Sequence, residues 1–266
     1  MAAVDGKSKV ISNQWVNDNY KHIVVDVGPI ASKVQPGQFF NLSCPQVGTD
    51  KPFFRRPMST YHADKNTHRV EFLYKVTGAG TRGLATLKAG EDLSFLGPLG
   101  KGFSLKSHYR HILVVGRGVG LATLAPLAEH ASSMNIQVTA ILSAQDSGRL
   151  MSQHRFHDVN ATVFEVTDDD GSSEVDKVKA LIEEINQKNK IDSIYTCGSV
   201  RLSKLLQQLA ITFDCDGEVA LEQHMACGIG MCYCCVRPIK VGEKQPQVSK
   251  RVCYDGPVFQ IKEVVL

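Results

Sequence analysis

Four of the eight cysteines in this 266-residue chain crowd into one short segment, Cys227-Gly-Ile-Gly-Met-Cys232-Tyr-Cys234-Cys235, and a fifth, Cys253, follows downstream. The spacing C-x4-C-x2-C with a distant fourth thiol is that of plant-type [2Fe–2S] ligand sets. Three thiolates must converge on a small cluster from a loop wrapped tightly round it. Gly228 and Gly230 permit positive φ there and remove side chains that would collide with inorganic sulfide. The candidate ligands are therefore Cys227, Cys232, Cys235 and Cys253. Cys234 adjoins Cys235, and neighbouring residues rarely aim both side chains at one site, so it reads as a spare thiol. Structural zinc favours paired C-x2-C knuckles, and only one such pair is convincing; a zinc site and plain buried thiols are the alternative readings. Cys44, Cys197 and Cys215 are isolated and read as small core residues. His224, beside the loop, is assigned no role.

Two further patterns bear on chemistry. In Arg55-Arg56-Pro57-Met58-Ser59 an arginine offers a bidentate fork to phosphate, and Pro57 bends the path towards the Ser59 hydroxyl. Alone, paired arginines are ordinary surface charge. Their context is Tyr74-Lys75-Val76, then Gly78-Ala79-Gly80-Thr81 opening a helical pattern, where backbone N–H groups make an anion site. The second pattern is Gly116-Arg117-Gly118-Val119-Gly120, after an apolar run and before a helix, the setting of a phosphate-binding turn. A tight strand-to-helix connection with no ligand is its bland alternative.

Positioning these residues requires three kinds of scaffold. The first hundred residues carry short apolar runs, His22–Val27, Gln38–Leu42 and Val70–Val76, punctuated by Gly28-Pro29, Pro36-Gly37, Gly78–Gly80, Gly97-Pro98 and Gly100. Regular short strands with such turns predict an antiparallel β-barrel or sandwich, interrupted by a helix over Thr81–Leu87. From Lys106 the character changes. Strand-like His111–Val115, Gln137–Leu142, Thr162–Val166 and Ser193–Thr196 alternate with helical Leu121–Ser133, Asp176–Lys188 and Val200–Leu209, which predicts βαβ units and an α/β parallel sheet. After Asp216 a short Cys- and Gly-rich tail lacks apolar residues for a core of its own and needs a staple. The expected multidomain layout is 1–105, 106–215 and 216–266.

Composition excludes several classes. A formal net charge of +3, with both signs mixed along the chain, argues against nucleic acid or an anionic membrane surface as partner. Met1–Val10 is polar, without the apolar core of a signal peptide. The most apolar stretch, Ile112–Ala128, is broken by Arg117, three glycines and Pro126, so no membrane span is expected. Clustered thiols without an export signal read as metal or cluster ligands in a reducing compartment, and a cytoplasmic location is expected.

RRPMS, LYKV with GAGT, GPLGKGF, VVGRGVG, YTCG, MACGIGMCYCC and CYDGPVF occur in an order that resembles the ferredoxin reductase superfamily. Within it, the chain resembles most the electron-transfer subunits of heteromeric, NAD-linked dihydroorotate dehydrogenases. The resemblance spans nearly the whole chain. It implies a flavin-binding β-barrel, a nucleotide-binding α/β domain and a C-terminal [2Fe–2S] domain, with FAD, the cluster and NAD(P)H as cofactors. It further implies that Arg56, with Pro57 and Met58 beside it, binds the FAD pyrophosphate and that Ser59 lies near flavin N5. Tyr74, Lys75 and Val76 would line the flavin and its ribityl chain, and Gly80 and Thr81 would hold the pyrophosphate. Gly116, Gly118, Gly120, Cys197 and Gly198 would form the NAD(P)H site. Asp255-Gly256-Pro257 would return the tail to the flavin. The implied partner is a catalytic dehydrogenase subunit with its own flavin, FMN, in a heteromer. No general acid or base is required.

The match departs from the superfamily pattern only in the nucleotide half. Arg117 stands in place of glycine and Ala122-Thr123 in place of a proline. Asp170 extends the acidic turn, with Glu174 and Val175 where glycines are usual, and a proline and a later methionine are missing after Gly198. Two other readings stay open: a stand-alone reductase feeding an oxygenase, and a redox-sensing or regulatory subunit with a degenerate nucleotide site.

Overall fold

In the computed structural model, which describes residues 3–240 and 247–266, the chain divides into two compact units. The first comprises Met1–Gly102, Gln223–Val236 and Arg251–Pro257; the second comprises Phe103–Glu222, Arg237–Lys250 and Val258–Leu266. The expected boundary near residue 105 falls at Gly102. Segments of the expected third region, 216–266, group with both units. Its cysteine segments join the first and its strands join the second, as follows from a tail with too few apolar residues for a core of its own.

The first unit is built on seven strands: β1 (Val4–Trp15), β2 (Tyr20–Asp26), β3 (Phe39–Leu42), β4 (Arg56–Ser59), β5 (His62–Asp64), β6 (Arg69–Lys75) and β7 (Asp92–Leu99). They form one sheet in the order β4-β3-β7-β1-β2-β6-β5, antiparallel at every pairing. The strand order ends at β4 and β5, which adjoin in sequence, so the expected barrel is an antiparallel half-barrel. Alternation sets its faces. Ile23 and Val25, Phe40 and Leu42, and Val70, Phe72 and Tyr74 enter one core, as period-two strands require. Helix α1 (Ala79–Thr86) follows β6 and adds Leu84 to that core. Gly97-Pro98, read from sequence as a turn, lies inside β7; Gly97 is where the Phe40 ring packs so closely that a Cβ would overlap it.

The second unit holds β8 (His111–Arg117), α2 (Gly120–Ser133), β9 (Gln137–Ala144), α3 (Gln153–Asp158), β10 (Thr162–Thr167), α4 (Val175–Lys188), β11 (Ser193–Cys197), α5 (Val200–Thr212) and β12 (Asp216–Ala220). A ribbon of β13 (Val236–Ile239) and β14 (Val248–Arg251) follows, then the short helix α6 (Val252–Asp255) of the first unit and β15 (Val258–Gln260) of the second. Strand order is β10-β9-β8-β11-β12-β15, parallel except for β15, which runs against β12. β8 is buried from His111 to Gly116, as a central parallel strand covered on both faces must be. The amphipathic α4 buries Val178, Ile182 and Ile185 in a core with Leu202, Leu206 and Leu209 of α5. Strand order reverses between β8 and β11, the switch point where open α/β sheets bind ligands. Among the described residues no helix is long and apolar enough to cross a membrane.

Candidate functional site

The cysteine loop is shaped by two glycines with φ of +71° at Gly228 and +83° at Gly230, a backbone region open to glycine at no steric cost. That path turns N–H groups onto sulfur. Ile229 and Cys232 amides each lie 3.5 Å from Cys227 Sγ, the Gly230 amide 3.2 Å from Cys253 Sγ, and the Cys253 amide 3.4 Å from Cys235 Sγ. The thiols gather in two pairs, Cys227 with Cys232 and Cys235 with Cys253, each pair close enough to interact side chain to side chain. Among the described residues no three His, Cys, Asp or Glu side chains are close enough to share one metal ion. Cysteine thiols with N–H donors aimed at their sulfurs suit the thiolate ligation of an iron–sulfur cluster. The residues present therefore fit a [2Fe–2S] cluster. Burial raises the Cys227 thiol, but the Ile229 and Cys232 amides and the Cys232 side chain outweigh it and bring it down to about 6. Burial, then Cys235, pushes Cys253 up to about 12. Cys234 is exposed and points elsewhere, its thiol 3.9 Å from the His224 carbonyl.

The tail that follows braces this loop. Arg251 donates from Nη1 to the Gly230 carbonyl at 3.1 Å and from Nε to Asp255 Oδ2 at 3.1 Å, and its guanidinium lies over the Tyr254 and Tyr233 rings. Asp255 thus acts on the loop through Arg251. Its neighbours reach back to the β7 end: the Lys101 amide donates to the Gly256 carbonyl at 2.5 Å, and Pro257 Cδ would lie 2.6 Å from a Cβ at Gly100.

The β3–β4 pair carries the RRPMS residues. Its register places Phe39 opposite Ser59 and Asn41 opposite Pro57. Phe40, Leu42 and Met58 face the core, so Phe39, Asn41, Pro57 and Ser59 share the other face. The cysteine loop packs on that face: Asn41 Nδ2 donates to the Cys227 carbonyl at 3.2 Å. Arg56 lies beside α1, where a Cβ at Gly80 would sit 2.6 Å from Arg56 Nε. Its guanidinium donates to the Phe54 carbonyl at 2.6 Å, and no carboxylate is paired with it among the described residues. A cation held this way, next to a helix start, fits a pyrophosphate. The Thr81 hydroxyl accepts from the Thr77 and Gly78 amides at 2.9 and 3.1 Å and donates to the Gly78 carbonyl. It caps its own helix, leaving the backbone to meet an anion. Tyr74 is turned into the core, with its hydroxyl 2.9 Å from Asn13 Oδ1 and its pKa raised by burial. The face of β6 away from the core belongs to Leu73 and Lys75, with Val76 just beyond. Leu73, buried yet off the core face, was missed by sequence reasoning; strand parity was the signal that marks it.

In the second unit the glycine turn is packed against the end of β11. A Cβ at Gly120 would lie 2.5 Å from the Cys197 carbonyl oxygen, and one at Gly198 would overlap the Arg117 carbonyl. Gly118 and Gly198 have φ of +55° and +92°. Gly116, Gly118, Gly120, Cys197 and Gly198 therefore meet at the switch point between β8 and β11. Burial, then the charge of Glu222, raises the Cys197 thiol, while the Thr123 hydroxyl opposes them. Thr123, in the place of a proline, so has a partner. Glu222, whose own pKa burial raises, carries no motif and was not foreseen. Arg117 runs across the sheet edge. It donates to Ser143 Oγ at 2.9 Å, to the Ala144 carbonyl at 3.3 Å, and bidentately to Asp168 at 3.1 and 2.5 Å. Arg117 first, then Ser173, holds the Asp168 carboxyl below the usual range.

Residues 222–265 match the family of iron–sulfur cluster binding domains of dihydroorotate dehydrogenase B. Over 97% of its length the chain is 31% identical to the dihydroorotate dehydrogenase B (NAD(+)) electron transfer subunit of Desulforamulus reducens, of which it covers 97%. It is 32% identical to the corresponding subunit of Streptococcus pneumoniae serotype 4, covering 97% of this chain and all of that one. The fold is shared with a NADH-dependent reduced ferredoxin-NADP oxidoreductase studied for flavin-based electron bifurcation, at a TM-score of 0.81, 24% identity and coverage of 97% and 89%.

Proposed function

Because the chain belongs to the family of electron-transfer subunits of NAD-linked dihydroorotate dehydrogenase B, we propose that it relays electrons between NAD(H), FAD and a [2Fe–2S] cluster and exchanges them with a catalytic dehydrogenase subunit carrying FMN. The observation that carries this reading is the placement, in one compact unit, of the cysteine loop on the β3–β4 face that bears Ser59. Bound FAD would supply the conversion between a hydride pair and single electrons, and the cluster the one-electron step. The chain's own part is to bind and orient.

Arg56 offers the pyrophosphate a fork with no competing carboxylate among the described residues, and the Ala79–Thr81 backbone adds N–H donors at the start of α1. Ser59 and Pro57 present the flavin platform, Met58 supports it from the core, and Lys75 and Val76 border it. Tyr74 stiffens β6 from within. Cys227, Cys232, Cys235 and Cys253 would hold the cluster, with the loop amides donating to the thiolates. Gly116, Gly118 and Gly120 leave room for a dinucleotide phosphate at the start of α2, and Cys197 and Gly198 form the floor beside it. Around the loop Met231, Tyr233 and Tyr254 are exposed, at 76%, 61% and 57%. Large apolar side chains in the open beside a cluster suit a docked protein partner.

One observation favours a second reading. The Arg117–Asp168 pair bridges the ends of β8, β9 and β10, where a nucleotide would approach, and a regulatory subunit with weakened nucleotide binding would tolerate that. Anaerobic titration of the reconstituted chain with NADH separates the two. The relay requires loss of flavin absorbance followed by cluster reduction, with two irons and two sulfides per chain. A loaded chain that NADH leaves oxidised would sink the relay and leave the regulatory reading. Co-purification with a second flavoprotein separates both from a stand-alone reductase.

A further inference from the structure

Asn41 lies at the centre of β3, 1% exposed, on the same face as Ser59. Its Nδ2 donates to the Cys227 carbonyl at 3.2 Å, and the approach is possible because residue 228 has no side chain: a Cβ there would overlap the Asn41 amide nitrogen. Its Oδ1 is buried with no hydrogen-bond partner. An amide in that position is expensive. A buried acceptor left unpaired costs about 1–3 kcal/mol, and an apolar side chain would occupy the site without that penalty. Packing therefore does not account for the amide, whereas its donor end does a specific job. Cys227 is the one proposed ligand whose sulfur receives two loop amides, from Ile229 and Cys232. Holding the Cys227 carbonyl fixes the peptide plane from which that loop starts.

We infer that Asn41 is a positioning residue for electron transfer, setting the cluster loop against the flavin strands through the Cys227 carbonyl. It touches no reacting atom. It acts by keeping Cys227, and the amides directed at its sulfur, at a fixed place relative to the strand pair of Ser59. The inference rests on the reading of these segments as flavin platform and cluster loop.

The test is Asn41→Leu, with Asn41→Ala as a smaller second variant should leucine impair folding, each reconstituted with iron, sulfide and FAD. Both remove the donor to Cys227. Both are expected to bind FAD with wild-type affinity and to keep two irons per chain, while the electron paramagnetic resonance spectrum of the reduced cluster changes and its reduction potential falls. The flavin-to-cluster step, followed as cluster reduction after rapid anaerobic mixing with NADH, is expected to slow by about 10- to 100-fold, the scale of a displacement near 1 Å. Wild-type spectrum, potential and rate in the variant that folds would overturn the inference. If wild-type protein itself fails to hold two irons and a flavin, the underlying reading fails instead, and the two failures are distinguishable in one preparation.

Discussion

Replacing Gly120 with alanine isolates the nucleotide turn from the rest of the relay. Gly120 opens α2 with no positive φ, so the substitution strains no torsion, and helix propensity slightly favours alanine. The obstacle is contact with backbone. The new Cβ would lie 2.5 Å from the Cys197 carbonyl oxygen, 2.6 Å from its carbon and 2.8 Å from the Gly198 nitrogen. None of these is the end of a flexible side chain that can swing aside. Ordinary contact begins near 3.4 Å, so the start of α2 must retreat from β11 by about 1 Å. Overpacking of this kind costs about 1–3 kcal/mol, which lowers the melting temperature by a few degrees in a protein of this size. The N–H groups at the helix start move with it. NADH affinity, read by equilibrium titration and by the KM of an NADH-dependent dye reduction, is expected to fall about 10- to 100-fold. FAD affinity, cluster absorbance and dithionite reduction of both should be unchanged, since the residues proposed to hold those groups belong to the other unit. Undiminished NADH affinity in a folded G120A variant would refute the placement of the nucleotide at this turn.

Three further outcomes are expected. Cys232→Ser should abolish cluster absorbance while FAD still binds, whereas Cys234→Ser should leave the cluster intact; iron analysis and visible spectra check both. Arg56→Ala removes a charge-assisted contact worth about 1.5–3 kcal/mol, so the FAD dissociation constant measured by fluorescence quenching should rise about 10- to 100-fold. Lys106, then Tyr109, holds the Asp216 carboxyl below the usual range, with Asp216 Oδ2 at 2.6 Å from each. A depressed carboxylate stabilises the fold above its unfolded pKa and loses that stabilisation as pH falls through the folded value. Asp216→Asn should therefore lower stability near pH 7 by at most about 1 kcal/mol, given its exposure, and the gap from wild type should close in acid denaturation profiles below the ordinary carboxylate range.

Legibility from sequence tracked how local the governing physics is. Three of the proposed cluster ligands, Cys227, Cys232 and Cys235, share one short C-x4-C-x2-C segment, so they stand out without any fold. The parallel strands β8 and β9 and the helices α2 and α4 were visible because burial on both faces or on one stripe writes continuous or 3.6-period patterns. β1 was not, because within Val4–Trp15 only Ser8 and Val10 are buried, which leaves an ordinary polar sequence. Gly97-Pro98 looked like a turn because glycine is usually wanted for its torsions; here it is wanted for the space Phe40 occupies. Tyr74 was expected at the flavin, yet its parity with Val70 and Phe72 puts it in the core and Leu73 outside. Asn41 and Glu222 carry no motif. Their significance depends on residues far away in the chain, Cys227 and Cys197, and only the folded structure brings those together.

The way the cysteine-rich tail weaves between the two units bears on how the molecule is made. Gln223–Val236 belongs to the first unit, the β13–β14 ribbon intervenes, Arg251–Pro257 returns to the first unit, and β15 closes the edge of the second sheet. A ribosome therefore releases three of the proposed cluster thiols before the fourth, and releases the last strand of the second sheet after that. Neither unit can be finished while the other waits, so the usual sequence of domains maturing one after another during synthesis does not apply. With Cys253 as a ligand, a nascent chain stalled before it would carry an incomplete thiol set together with an unpaired edge at β12.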